Sequence, residues 1–133
     1  SKNHLLGFKN GVYDLEVMAF RTGTVEDKVR MTTRFDFDEN YEQEKFDFID
    51  EMVNGYFTSF ETSRWFQKHM GSLLGGGNKE EKGYFWVGNG RNGKGTLDNI
   101  LIKTLGDYYH NCPMSSSFAL RKITVEQNLN FWR

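Results

Sequence analysis

The chain has 133 residues, with 17 Lys and Arg against 18 Asp and Glu, for a formal charge of −1. That length suits one ordinary domain or a piece of a larger one, and a 38% hydrophobic share with 16% aromatics excludes wholesale disorder. No apolar run approaches the roughly 18 residues of a membrane span, no secretory leader is visible, and Cys112 stands alone, which excludes an internal disulfide or a cysteine-built zinc site; a soluble protein of a reducing compartment, away from membranes, is expected.

The near-neutral total conceals a segregation of charge. Residues 1–35 sum to +2, residues 36–78 to −6 and residues 79–133 to +3. Successive segments of opposite sign meet different surroundings. If nucleic acid is touched, the last segment is favoured, because phosphate contacts need Lys and Arg. A solvated mixed surface accounts for the surplus equally well.

In chain order, Leu5, Leu6 and Phe8 precede Asn10-Gly11, and Val12, Tyr13 and Leu15 follow. The spacing predicts a hairpin, with Asn-Gly supplying the positive φ angles of a tight primed turn. A further strand is expected over Val17–Phe20, ending at Thr22-Gly23. From Asp36 the chain turns acidic, and Phe46, Ile49, Val53 and Phe57 recur at helical steps that predict one apolar helix face weakening at Gly55. Thr58 with Glu61 has the form of a capping box, opening a second helix through Phe60, Trp65, Phe66, His69, Met70 and Leu73. These aromatics could stack on bases, but core packing is the expected role, and the acids read as a solvated face. Gly75-Gly76-Gly77-Asn78 and Lys79-Glu80-Glu81-Lys82 form a polar break. The expected division is therefore a β-rich segment over 1–38, a helical, collar-like segment over 39–78, and an α/β unit over 79–133.

After the break, Tyr84-Phe85-Trp86-Val87 has the composition of a buried strand. It runs into Gly88-Asn89-Gly90-Arg91-Asn92-Gly93-Lys94-Gly95-Thr96, and Leu97, Ile100, Leu101 and Leu105 then recur at helical spacing up to Gly106. Strand, glycine-rich loop and helix is the order that a phosphate-binding loop requires. Glycines let backbone N–H groups close on phosphate oxygens, the helix start offers unpaired donors and partial positive charge, and Lys94 would place an ammonium between the β- and γ-phosphates of ATP. Gly95 occupies the position where Ser or Thr ordinarily ligates Mg2+. Thr96 is the nearest hydroxyl; it could hold the metal, bond a phosphate, or leave Mg2+ to waters and a distant acid.

This loop, with Asn92 before Gly93-Lys94, resembles the Walker A loop of superfamily 3 helicases, in particular the primase–helicases of poxviruses, other large DNA viruses, and related phages and plasmids. Leu5–Leu15, with its Asn10-Gly11-Val12 and Asp14-Leu15, is similar to the segment upstream of the helicase in those proteins, and Glu26–Thr33 to the stretch that follows it. Leu105-Gly106-Asp107-Tyr108-Tyr109 has the form found at the end of the Walker A helix. The resemblance implies an incomplete P-loop, AAA+-like core that binds ATP and Mg2+ through residues 88–96, with Lys94 catalytic and Thr96 the candidate metal ligand. It also implies a homo-hexameric ring that hydrolyses ATP to unwind DNA during replication, in a host cell's cytoplasm or nucleus or, for a phage, the bacterial cytoplasm.

An ATPase also needs an acidic strand end to hold Mg2+ and polarise water. Past Thr96 only Asp98, Asp107 and Glu126 are acidic, and Ile123–Glu126 is too poor in apolar residues for a central strand. With an apolar ending at Asn130–Arg133, the chain reads as a fragment that binds nucleotide without turning it over alone. His110 with Cys112 is an incidental pair, Pro113–Ser117 a loop, and Arg121-Lys122 a solvated helix end. Two other readings stay open: a small nucleotide kinase, disfavoured by the 87 residues before the loop, and a non-catalytic oligomerisation module carrying a remnant loop.

Overall fold

The computed structural model describes residues 4–76 and 81–111. Part of the break after Gly76, Cys112, Pro113–Ser117, Arg121-Lys122, Ile123–Glu126 and the last four residues lie outside that range. The described residues form a small mixed α/β structure with a three-stranded antiparallel sheet of order β1-β2-β3 and three α-helices.

The hairpin forms where alternation places it. Strand β1 (Leu5–Phe8) pairs with β2 (Gly11–Asp14), with Leu5 opposite Asp14 and Phe8 opposite Gly11. The turn, however, is Lys9-Asn10, one residue earlier than expected, and neither residue has positive φ. Asn10 has a different task. Its side-chain amide donates to the Phe37 carbonyl (3.0 Å) and its Oδ1 accepts from the Phe37 N–H (2.8 Å), holding a segment 27 residues away. Gly11 answers to sterics, since a Cβ there would come within 2.5 Å of the Arg21 carbonyl. Strand β3 is Ala19–Arg21, paired to β2 with Tyr13 opposite Phe20. Val17 and Met18, expected in that strand, lie exposed in the β2–β3 loop, Met18 at φ 55°.

Period-two alternation sorts the sheet into two faces. Phe8, Tyr13 and Phe20 meet Phe37 on one face, at ring separations of 4.8–5.3 Å, with Phe35 5.5 Å from Phe8. Leu5 and Val12 are buried on the other. Beside them Arg21 makes a bidentate pair with Asp27 (2.7 and 2.8 Å), and Asp27 also accepts from the Thr24 N–H at 2.8 Å. The free edge of β1 is covered by the chain at 33–35, through Thr33 N–H to Gly7 O (2.9 Å) and Lys9 N–H to Phe35 O (3.1 Å). An edge so covered is closed to other strands.

The Arg21 hydrogen bonds and the Thr24 amide hold the Asp27 carboxyl far below the ordinary carboxylate range. Because its folded pKa is depressed, its stabilising contribution is complete above the unfolded value of about 4 and is lost as pH falls below it. Chemical denaturation should therefore give a midpoint that is flat from pH 5 to 7 and falls below pH 4. Asp27→Asn should lower the plateau and flatten the acid limb, whereas an acid limb as steep as the unmodified chain's would remove Asp27 from the account.

Helix α1 is Gln43–Gly55 and α2 is Phe60–Leu73. Helix α2 starts one residue later than the expected capping box: Ser59 is the N-cap and accepts from the Thr62 N–H at 3.2 Å. The two helices meet over a second core of Val53, Phe57, Phe66 and Leu97. Ser63 is fully buried in the seam and donates to Asn54 Oδ1 (2.5 Å), and Gln67 bridges to Asp50 at 3.1 Å. Only part of the expected apolar face is used. Val53 and Phe57 are buried, but Phe46, Ile49, Phe60 and Trp65 are exposed. Helical spacing aligns residues on a stripe, and where the partner crosses decides how much of it is covered; α2 meets α1 at Asp50, Val53 and Asn54, in its C-terminal half.

Candidate functional site

Helix α3 spans Lys94–Leu105 and begins within the glycine loop, as the sequence predicts. The strand expected before it is absent: residues 81–88 carry no secondary structure, and Tyr84, Phe85 and Val87 are exposed. A strand is held by its neighbours' ladder bonds, and among the described residues no strand lies beside this one. The described residues thus contain no P-loop NTPase core. Trp86 alone of the run packs inward, edge-on to Phe66 at 5.3 Å. Tyr84 instead contacts His69 at 3.9 Å, and half-buried His69 stacks on Trp65.

Glycine-compatible angles govern the loop itself. Gly90 (φ 84°), Arg91 (φ 52°) and Gly93 (φ 88°) all lie in the left-handed region. Gly88, Asn89, Gly90 and Arg91 are exposed, Asn92, Gly93 and Lys94 half-buried, and Gly95 and Thr96 exposed. Gly93 caps α3, and its carbonyl accepts the first helical bond, from the Leu97 N–H at 3.0 Å. The N–H groups of Lys94, Gly95 and Thr96 precede that bond and point along the axis out of the helix. No acidic residue occupies the first turn to neutralise them.

Lys94 lies at the same end, its Nζ donating to Asn92 Oδ1 at 2.5 Å. The side chain is thereby held over its own loop. The space beyond Gly90 and Gly95 is open: among the described residues, nothing outside the adjoining backbone comes within 4 Å of where a Cβ would stand. Open space, a helix start without an acid and an ammonium together fit a phosphate group. For a metal, the loop offers the exposed Thr96 hydroxyl. Asp98 is committed to the Tyr109 hydroxyl at 2.5 Å, and the described His, Asp and Glu side chains close enough to share one ion, His4, Asp14 and Glu16, belong to the sheet. One hydroxyl serves Mg2+ only alongside phosphate oxygens and waters, a mode this ion commonly adopts.

Two sets of contacts, one at each end of α3, escape sequence reasoning. Tyr56, the residue after α1, lies against Gly93, so that a Cβ on Gly93 would come within 2.1 Å of its ring. No local pattern marks Tyr56. At the far end of α3, Gly106, Asp107 and Tyr108 contact Gly7 and residues 31–34; the Leu-Gly-Asp-Tyr-Tyr run is conspicuous in the sequence, but its partners are not.

Comparison with known proteins adds a family to this geometry. Residues 1–55, which hold the sheet and α1, match the family described as "D5 N terminal like". The chain is 36% identical over 114 residues to the "Putative helicase L207/L206" of Acanthamoeba polyphaga mimivirus, covering 80% of this chain and 11% of that protein. It is 27% identical over 104 residues to the "Putative helicase 121R" of Invertebrate iridescent virus 3, and 32% identical over 107 residues to the "Putative helicase 184R" of Invertebrate iridescent virus 6, in each case 77% of this chain and 11% of the relative. The chain thus spans about a ninth of the length of these relatives. With an N-terminal-like segment over residues 1–55 and helicase-named relatives aligned well beyond it, the chain belongs to the D5-type primase–helicase family of large DNA viruses.

Proposed function

We propose that this chain carries the phosphate-binding loop of an ATP-driven viral DNA helicase, together with the upstream segment that supports it. The observation that carries the reading is the helix start at Lys94: a glycine-rich loop that ends on the Gly93 cap at positive φ, no acid in the first turn, and the Lys94 ammonium held over that loop by Asn92. The relatives support it as well. A match covering 80% or 77% of a 133-residue chain cannot leave out residues 88–96, so the loop lies within the stretch shared with helicase-named proteins.

In this reading, ATP supplies the anhydride whose hydrolysis drives strand separation. The loop amides and the Lys94 ammonium hold its terminal phosphates, Lys94 exchanging Asn92 for phosphate oxygen, and Thr96 offers one ligand to Mg2+. The acids that polarise water and the parallel sheet of an AAA+-like core would come from the remaining eight-ninths of such a protein. A homo-hexameric ring on DNA at the site of viral replication belongs to the same proposal. No helix among the described residues is long and apolar enough to cross a membrane.

Titration of the folded chain with ATP and Mg2+, followed by calorimetry, tests the reading. Saturable binding competed by inorganic triphosphate is expected. A folded sample that takes up no ATP would instead favour the non-catalytic module.

A further inference from the structure

The Gly106-Asp107-Tyr108 corner at the end of α3 makes long-range hydrogen bonds to the N-terminal sheet and its edge. The Tyr108 hydroxyl accepts from the Gly7 N–H (2.8 Å) and donates to the Met31 carbonyl (3.0 Å). The Asp107 N–H donates to the Thr32 carbonyl (2.9 Å), and Asp107 Oδ2 accepts the Thr32 N–H in return (3.1 Å). Its other oxygen accepts Arg34 Nε at 2.7 Å. Gly106, at φ 53°, lies so close to Thr33 that a Cβ would come within 2.5 Å of that carbonyl. Thr33 itself is buried and bonded to Gly7. The corner is therefore fastened to the edge segment by four hydrogen bonds and to strand β1 by a fifth. Tyr108 spends both functions of its hydroxyl there.

The other end of the same helix bears Lys94. A 12-residue helix is a stiff rod about 18 Å long; one end is fastened to the N-terminal sheet, and the other, packed through Leu97 with Val53, Phe57 and Phe66, carries the glycine loop. We propose that Asp107 and Tyr108 are positioning residues for the nucleotide loop: by locking the end of α3 to Gly7 and Thr32 they couple ATP binding at Lys94 to the N-terminal sheet. The proposal rests on the ATP-binding reading given above. It assigns the D5 N-terminal-like segment a task, that of anchoring the phosphate-binding helix. Coupling of this kind is reciprocal, so bound ATP must tighten the corner as much as the corner tightens ATP.

Hydrogen exchange on the whole chain, with and without ATP and Mg2+, reads the coupling at amides far from the ligand. ATP should slow exchange at Gly7 and Thr32. Tyr108→Phe keeps the ring but removes both hydroxyl bonds; it should abolish that response and weaken ATP binding roughly five-fold or more, while the Val53 and Phe66 amides keep their protection. Asp107→Asn, which loses the charge but retains an acceptor, should fall between, and it serves if Tyr108→Phe does not fold. A Tyr108→Phe chain with a fast-exchanging Gly7 amide and unaltered ATP affinity overturns the coupling alone. An unmodified chain that binds no ATP overturns the site reading and the coupling together.

Discussion

Lys94→Ala should reduce ATP affinity roughly ten- to hundred-fold while leaving the fold intact. A charge-assisted hydrogen bond is worth about 1.5–3 kcal/mol, and each 1.4 kcal/mol is about a factor of ten in affinity. Lys94 is half-buried at the first position of α3, a site where alanine is an excellent helix former. The bond it gives up, to Asn92, lies within the loop, and the buried core contributed by α3 is Leu97. Thermal unfolding should therefore be nearly unchanged as calorimetric ATP binding weakens. Lys94→Arg keeps the charge on a bulkier fork and should recover only part of the loss. Unchanged affinity in Lys94→Ala would remove the ammonium from the site, and a large fall in thermal stability would assign Lys94 to the fold instead.

Gly93→Ala should act on both stability and binding, and more severely on stability. Gly93 sits at φ 88°, where an L-residue pays about 1–2 kcal/mol, and its Cβ would collide with the Tyr56 ring. Forcing atoms into a packed contact costs about another 1–3 kcal/mol, for a total of about 2–5 kcal/mol by urea denaturation. Tyr56→Ala removes the obstacle but leaves the φ angle, so Gly93→Ala should cost clearly less in that background. Non-additivity of this sign is the signature of residues in contact. Strict additivity of the two substitutions would show that Tyr56 does not press on the loop.

How much of this was legible in the residues depends on how far each signal reaches. Leu5, Phe8, Val12 and Tyr13 declare a hairpin, because alternation and a nearby glycine are local features. The turn lies one residue earlier than Asn10-Gly11 because Asn10 bonds to Phe37 and not to its own backbone, and no four-residue window contains Phe37. Phe46 and Ile49 carry the spacing of a buried stripe and remain exposed, since among the described residues no helix or strand covers that end of α1 and Phe46 meets the exposed Tyr41 ring. Tyr84–Val87 has strand composition, but ladder partners must come from elsewhere in a chain. The same division runs through the site: Gly88–Thr96 announces itself by composition and order, whereas Tyr56 and the partners of Tyr108 do not.

By itself, the sequence determined the hairpin, the two helical periodicities, the glycine loop opening a third helix at Lys94, and the likeness to viral primase–helicases. These depend on neighbours within a few residues, or on a motif read in order. Tertiary structure alone decided that Gly93 lies under Tyr56 and that Asp107 and Tyr108 grip Thr32, Arg34 and Gly7 across separations of 73 to 101 residues. Such contacts follow from how the elements pack, and a hydrogen-bonding side chain carries no mark of which distant backbone group will meet it.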